Sequence, residues 1–314
     1  MDHDRLFKEL VGAFLFEFIE LFFPDIAALI DRDAGIVLLD KEIFTDIALG
    51  EKHELDLVAR VKILGEETFI LIHIEPQSTA QTYFGERFYR YFMLLILKYN
   101  LPVFPIALFS YDAPKRPEPT HYETKCLGST ISRFNYKVIQ LNRIPWRQFI
   151  NHPNPVASGL MAKMKMSPVE RPRVKLECLR MLATLKLDPA RSRLIGVFVD
   201  SYLNLTAAEM KRFEREIAGL DPAERGATME LMTSWERKGL EEGRVEGRLE
   251  GRLEGRLEGR LEGERHFLIL TGSRRLGAPD QATRARIEAV ASPDELEQLA
   301  GRLLDVESWD ELFS

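Results

Sequence analysis

One segment concentrates residues able to do chemistry: Phe69-Ile-Leu-Ile-His-Ile-Glu75-Pro-Gln77. Read as a strand, whose side chains alternate between faces, it sets Leu71, His73, Glu75 and Gln77 on one face and Ile70, Ile72 and Ile74 on the other. So apolar a strand belongs at the centre of a sheet, where an unpaired carboxylate is costly and a divalent cation is one common solution. The turn Leu64-Gly65-Glu66-Glu67 predicts a hairpin between segments 54–63 and 68–77. Counting outward from it, residue 63 faces 68 and Asp56 faces Glu75. Two like charges directly opposite each other destabilise a ladder. The conflict resolves if both carboxylates bind one metal ion. His73 reads as a packed or hydrogen-bonded residue, and Asp40 and Glu42 as strand-edge acids.

The elements that must position these residues follow from periodicity. Residues 4–22 carry apolar side chains at helical spacing, among them Leu6, Leu10, Phe14 and Phe18, and Pro24 ends the run. Extended segments are expected at 36–48, 54–63 and 68–77. A second helix pattern runs from Tyr83 to Tyr99, with Phe84, Phe88, Phe92 and Leu95 on one face. Arg87 and Tyr91, four apart, share a face of that helix. Pro102 stops it, and Val103–Ser110 reads as a buried strand. The order helix, three strands, helix, strand predicts an α/β sandwich around a mixed sheet.

Composition excludes several classes. The 314 residues are 45% hydrophobic and 29% charged, ordinary values for a folded globular chain. The longest apolar runs are broken by Glu17 and Glu20, and by Lys98 and Pro102, so no membrane span is expected. The N-terminus lacks the basic region and cleavage site of a signal peptide. Cys126 and Cys178 cannot form a disulfide framework; a reduced, cytoplasmic protein is expected. The net charge of −6 hides an asymmetry. Residues 1–59 hold 5 Lys and Arg against 14 Asp and Glu, whereas residues 60–150 hold 12 against 7. Metal sites want the first composition and phosphates the second.

Residues 151–238 read as helices: Asp188 is a cap for 189–204, and Thr206 with Glu209 forms a capping box. Residues 264–314 read as a small helical module, with Ser292-Pro293-Asp294-Glu295 as a further capping box. Between them, 239–263 contains one Gly-Arg-Val-Glu and four Gly-Arg-Leu-Glu units. As a helix this repeat would carry an Arg stripe and a Glu stripe on nearly opposite sides. The two cannot pair within the helix, and each glycine costs about 1 kcal/mol against alanine. It is expected either to self-associate, most simply as a dimer, or to act as a linker.

Asp56 followed by Glu75-x-Gln77, within this element order, resembles the core of the PD-(D/E)xK nuclease superfamily, a restriction-endonuclease-like fold. The stretches Leu39-Asp-Lys-Glu42, Glu54-Leu-Asp-Leu57, Ile72-His-Ile-Glu-Pro-Gln77 and Arg87-Phe-Tyr-Arg-Tyr91 are similar to the bacterial recombination-promoting nucleases, often labelled transposases. The resemblance covers residues 4–150, with a tail-like module at 264–314. It implies a nuclease domain over 1–150, in which Asp56 and Glu75 hold Mg2+, with Mn2+ as a substitute. Gln77 stands where lysine is usual: it can orient a water but supplies no charge, and glutamine variants are known in the superfamily. Glu9 matches an accessory helix glutamate, with Glu17 and Glu20 as competitors, and Gln81, Arg87 and Tyr91 match a supporting motif. The implied activity is DNA endonucleolysis promoting recombination, with low sequence preference. The rival reading is an inactive nuclease fold serving as a nucleic-acid-binding or self-associating scaffold.

Overall fold

The computed structural model describes the backbone of residues 3–39, 43–45, 52–54 and 57–313, and side chains at 5–39, 57–233, 248, 252 and 255–313. The chain divides into two compact units, Met1–Thr233 and Ser234–Ser314.

The first unit opens with helices α1 (His3–Ala13), α2 (Leu15–Phe22) and α3 (Pro24–Ala27). The single run expected over 4–22 breaks at Phe14, whose backbone leaves the helical region at φ −132°, ψ 39°. The break is supported from outside the helix. Arg191 donates from Nη2 to the Ala13 carbonyl at 2.8 Å and lays its guanidinium 4.5 Å from the Phe14 ring centre.

Strands β1 (Ile36–Leu39), β2 (Ile43–Thr45), β3 (Lys52–Glu54), β4 (Leu57–Lys62) and β5 (Phe69–Gln77) follow, then α4 (Phe84–Tyr99) and β6 (Val103–Phe109). After these come β7 (His121–Cys126), β8 (Ser129–Asn135) and β9 (Lys137–Gln140). A mixed five-stranded sheet has the order β1-β4-β5-β6-β9, with β2-β3 and β7-β8 as separate two-stranded pairs. The fold is therefore α/β. Across the expected segments 36–48 and 54–63, the described residues of β2 and β3 pair with each other and not with the five-stranded sheet. The register from Lys62↔Phe69 to Leu57↔Ile74 is the one counted outward from the turn. β5 is the middle strand, antiparallel to β4 and parallel to β6. The crossover through α4 supplies the parallel connection.

Residues 151–233 pack into this same unit; they do not form a body of their own. Helices α5 (Pro155–Leu160), α6 (Arg171–Thr184), α7 (Pro189–Tyr202) and α8 (Ala207–Ala218) follow β9. All six residues of α5 are buried. Asn154 caps α5 and also donates to the Glu17 carbonyl at 2.8 Å, so one side chain ties the helical region to α2. Asp188 caps α7 and Thr206 with Glu209 boxes α8, as their sequences predict. Buried Glu177 is met by Arg173 at 2.6 Å and Arg180 at 2.8 Å, which offsets its desolvation.

Helix α9 spans Pro222–Leu276, so the Gly-Arg-Leu-Glu repeat is helical throughout. It is followed by α10 (Gln281–Ala289), α11 (Pro293–Arg302) and α12 (Trp309–Leu312). Ser292 precedes α11, but its hydroxyl makes no cap hydrogen bond. In the second unit Leu268 is enclosed by Ile287, Leu296, Leu299, Leu303 and Leu312. Gly272 lies directly under the Trp309 ring, where a Cβ would overlap the indole carbons. Trp309 also donates from Nε1 to the Gly277 carbonyl at 2.9 Å, where Gly277 takes φ +86° just beyond α9. Gly272→Ala is accordingly expected to destabilise this unit by about 1–3 kcal/mol through overpacking. Hydrogen exchange over 264–313 checks this; undiminished protection of the Leu268 amide would contradict it.

Candidate active site

β5 carries a polar row inside a hydrophobic layer. His73 is fully buried, and Glu75 and Gln77 nearly so. Ile72 and Ile74, on the opposite face, are buried as well. The face of the polar row is covered by α4. Leu71 packs with Tyr91 and Leu95, and the His73 ring lies 5.0 Å from Phe88 and 6.3 Å from Tyr91. One helical turn toward the N-terminus of α4, Arg87 donates from Nη2 to Glu75 Oε1 at 3.1 Å. Its Nη1 donates to Gln81 Oε1 at 2.7 Å. The Arg87 guanidinium also lies 6.0 Å from the Tyr91 ring centre, as expected of residues four apart on a helix.

The other oxygen of Glu75, Oε2, is 3.3 Å from His73 Nε2, but the two do not form a hydrogen bond. Among the described residues, Glu75 Oε2, Gln77 Oε1 and both His73 ring nitrogens are buried without a hydrogen-bond partner. The Gln77 amide nitrogen donates to the neighbouring Pro76 carbonyl at 2.7 Å, which leaves its oxygen unused. The Gln77 backbone carbonyl accepts from the Ser110 amide at 2.9 Å and its hydroxyl at 3.1 Å. β6 thereby fixes the end of β5 at the polar row. Buried polar atoms are almost always satisfied, so two orphaned oxygens two residues apart on one strand face stand out. Hard oxygen donors are the chemistry Mg2+ selects, and a carboxylate and an amide oxygen are donors of that type. No cluster of three His, Cys, Asp or Glu side chains able to hold a metal occurs among the described residues.

The remaining sequence-predicted residues fall as follows. Asp56, Asp40 and Glu42 lie outside the described residues. Glu9 is not brought to Glu75. α1 packs on the opposite face of the sheet: Gly12 of α1 sits against Leu57 and Leu38, and Leu57 is the cross-strand partner of Ile74. Glu9 instead pairs with Arg5 at 2.7 Å on the exposed side of α1. Gln81 precedes α4 rather than lying on it, since the helix starts at Phe84 with Tyr83 at its N-cap. That position lets the Gln81 side chain fold back onto Arg87. Glu86, adjacent in sequence to Arg87, pairs with Arg90 at 2.7 Å.

Two further features were missed in the sequence. The β7–β8 hairpin packs on α4, building an aromatic layer of Phe84, Phe88, Phe109, Phe134 and Tyr136 beside the site. The segment before β7 also approaches the turn that precedes α4. The signal for the hairpin was present in Leu127-Gly128, flanked by Thr- and Tyr-containing runs. Compared with protein-family models, curated proteins and solved structures, the chain matches none.

Arg87 satisfies half of a buried carboxylate while remaining 31% exposed itself. Arg87→Ala is expected to cost about 2–3 kcal/mol, below the range for a fully enclosed pair because solvent reaches the guanidinium. A double-mutant cycle with Glu75→Ala in urea unfolding measures the coupling. Additive effects would show that the pair does not hold the carboxylate.

Proposed function

We propose that the sheet-bearing part of this chain is a PD-(D/E)xK-type nuclease domain that cleaves DNA phosphodiester bonds with little sequence preference, in the manner of recombination-promoting endonucleases. The observation that carries the reading is the buried, orphaned oxygen pair Glu75 Oε2 and Gln77 Oε1 on the middle strand. The chain invests a carboxylate and an amide where apolar packing is available, and leaves one oxygen of each unused among the described residues.

In this reading Asp56 and Glu75 hold a divalent cation, Mg2+ or Mn2+, with Gln77 beside it. Such an ion supplies a nucleophilic water at neutral pH and neutralises charge on the scissile phosphate. Arg87 holds Glu75 in orientation through its Nη2. Gln77 orients a water through its amide oxygen, but it lacks the positive charge a lysine would contribute. His73 remains a packing residue that closes the site from below. Backbone contacts would come from the net-positive 60–150 segment, making binding strongly salt-dependent.

Supercoiled-plasmid cleavage tests the reading. Mg2+- or Mn2+-dependent nicking is expected, abolished by EDTA and by Glu75→Ala, with Gln77→Lys at least as active as wild type. An inert wild type beside an active Gln77→Lys would assign the natural chain to DNA binding or scaffolding. Inactivity of both proteins on DNA and on RNA would remove the nuclease reading.

We also propose that the repeat in α9 associates with a second copy of the chain. Arg248, Arg252, Arg256, Glu258 and Glu262 are exposed, and none has an ion pair among the described residues. Arg260 pairs at 2.6 Å with Glu264, which stands four residues on only because the repeat ends at Glu262. No Cβ-blocking neighbour lies over Gly255, Gly259 or Gly263, so another helix can approach closely. Light scattering is expected to give a dimer in low salt that dissociates as salt screens the exposed charges. A mass unchanged by deleting 239–263 would contradict the assignment.

A further inference from the structure

Beside the Glu75–Arg87 pair, the turn before α4 and the segment leading into β7 flank an open cavity of about 560 Å3. Its lining includes Gln81, Tyr83, Arg116, Tyr122 and Tyr136. The volume is in the range of small-molecule sites, sufficient for one nucleotide and too small for a duplex. Its aromatic walls are of two kinds. Tyr122 is fixed, its ring tilted against Tyr89 at 5.8 Å and its Cβ under Gly85, where an added Cβ would come within 3.3 Å. Tyr83 is not part of any core: it is 76% exposed at the edge of the cavity. Tyr136 is buried, and desolvation together with Glu118 pushes its hydroxyl up to about 12, so it remains a neutral hydrogen-bonding group.

The charges in the lining are unequally engaged. Glu118 is hydrogen-bonded by the Tyr111 hydroxyl, and Glu86 is paired with Arg90. Arg116 is exposed and has no ion pair among the described residues, although its carbonyl accepts from Gln140 at 2.9 Å. The cavity thus offers a cation with no ion pair among the described residues, an open aromatic face and the Gln81 amide, with Glu86 paired to Arg90 and Glu118 turned to the Tyr111 hydroxyl. That combination suits an anion carrying a flat ring. Gln81 links the cavity to the carboxylate, since it lines the former and shares Arg87 with Glu75.

We propose that this cavity receives one unpaired nucleobase of the substrate, stacked on Tyr83, with the adjoining phosphate on Arg116. Choosing a nucleic acid as the ligand rests on the nuclease reading. Its consequence is a preference for strands with a single-stranded or extruded nucleotide beside the cleavage point. Extruding a base from a duplex costs a few kcal/mol, which single-stranded, mismatched or gapped DNA largely avoids.

The test uses the full chain in EDTA with a single-stranded oligonucleotide carrying one 2-aminopurine. Stacking in the cavity is expected to quench the probe. Tyr83→Ala is expected to weaken binding by about 5- to 150-fold, the range for losing one base–aromatic stack, whereas Tyr83→Phe retains it. Arg116→Ala is expected to weaken binding and flatten its salt dependence. Circular dichroism melting controls for folding, which an exposed tyrosine should not affect. Equal affinity and quenching for wild type and Tyr83→Ala would overturn the cavity assignment, even with plasmid cleavage intact. Normal quenching, lost in Tyr83→Ala, beside absent cleavage would support the cavity and count against the nuclease reading instead. Binding to neither single- nor double-stranded DNA would also overturn the cavity assignment.

Discussion

A carboxylate held inside the middle strand of the sheet is the constraint around which the rest of the first unit is arranged. Glu75 would be more cheaply replaced by an isoleucine like its neighbours, for burying an ionised group costs several kcal/mol before any partner is counted. The chain retains it by bringing Arg87 across from α4. Arg87 can arrive only because α4 crosses the polar face of β5 with the correct rotation. That rotation is set by Phe88 and Tyr91 packing around His73 and by Leu95 against Leu71. The apolar contacts give the energy, and the ion pair gives the register.

The aromatic layer extends this logic outward. Phe84, Phe88 and Phe134 lock α4 against the β7–β8 hairpin, and Tyr136 links the hairpin to the strand that closes the sheet. Rigid aromatic contacts fix the start of α4, and hence Gln81 and Arg87, with little conformational freedom. The end of β5 is held at two points: Glu75 by Arg87 of α4 and the Gln77 backbone carbonyl by Ser110. Such preorganisation suits a site whose work is electrostatic.

Much of this was legible in the sequence. The alternation in 69–77 separates the polar row from the isoleucines, and the short turn at 64–67 fixes the β4–β5 register. The spacing of Arg87 and Tyr91 places them together on α4. What was not legible depends on contacts distant in the chain. The break at Phe14 is held by Arg191, 178 residues beyond the Ala13 carbonyl it binds, and no local pattern encodes it. Glu9 looked available because helical periodicity shows which residues share a face but not which face of a sheet the helix will cover. β9 has only four residues, too few for a period, and is recruited by pairing with β6. Glu17 and Asn154, 137 residues apart, are likewise joined by a contact no local pattern encodes.

The four-residue period of the α9 repeat has a geometric consequence of its own. An α-helix turns by about 100° per residue, so equivalent positions four apart advance by about 40° with each unit. From the Arg position at 244 to that at 260 the charged rows therefore wind roughly 160° around the axis. A straight neighbouring helix would meet the arginine row for only about two turns before the surface rotates away. Rows of period four favour two helices crossing at a steep angle over matching i±4 ridges, not a long left-handed coiled coil, which needs a shorter period of 3.5. Lengthening the repeat would then add winding more than it adds contact.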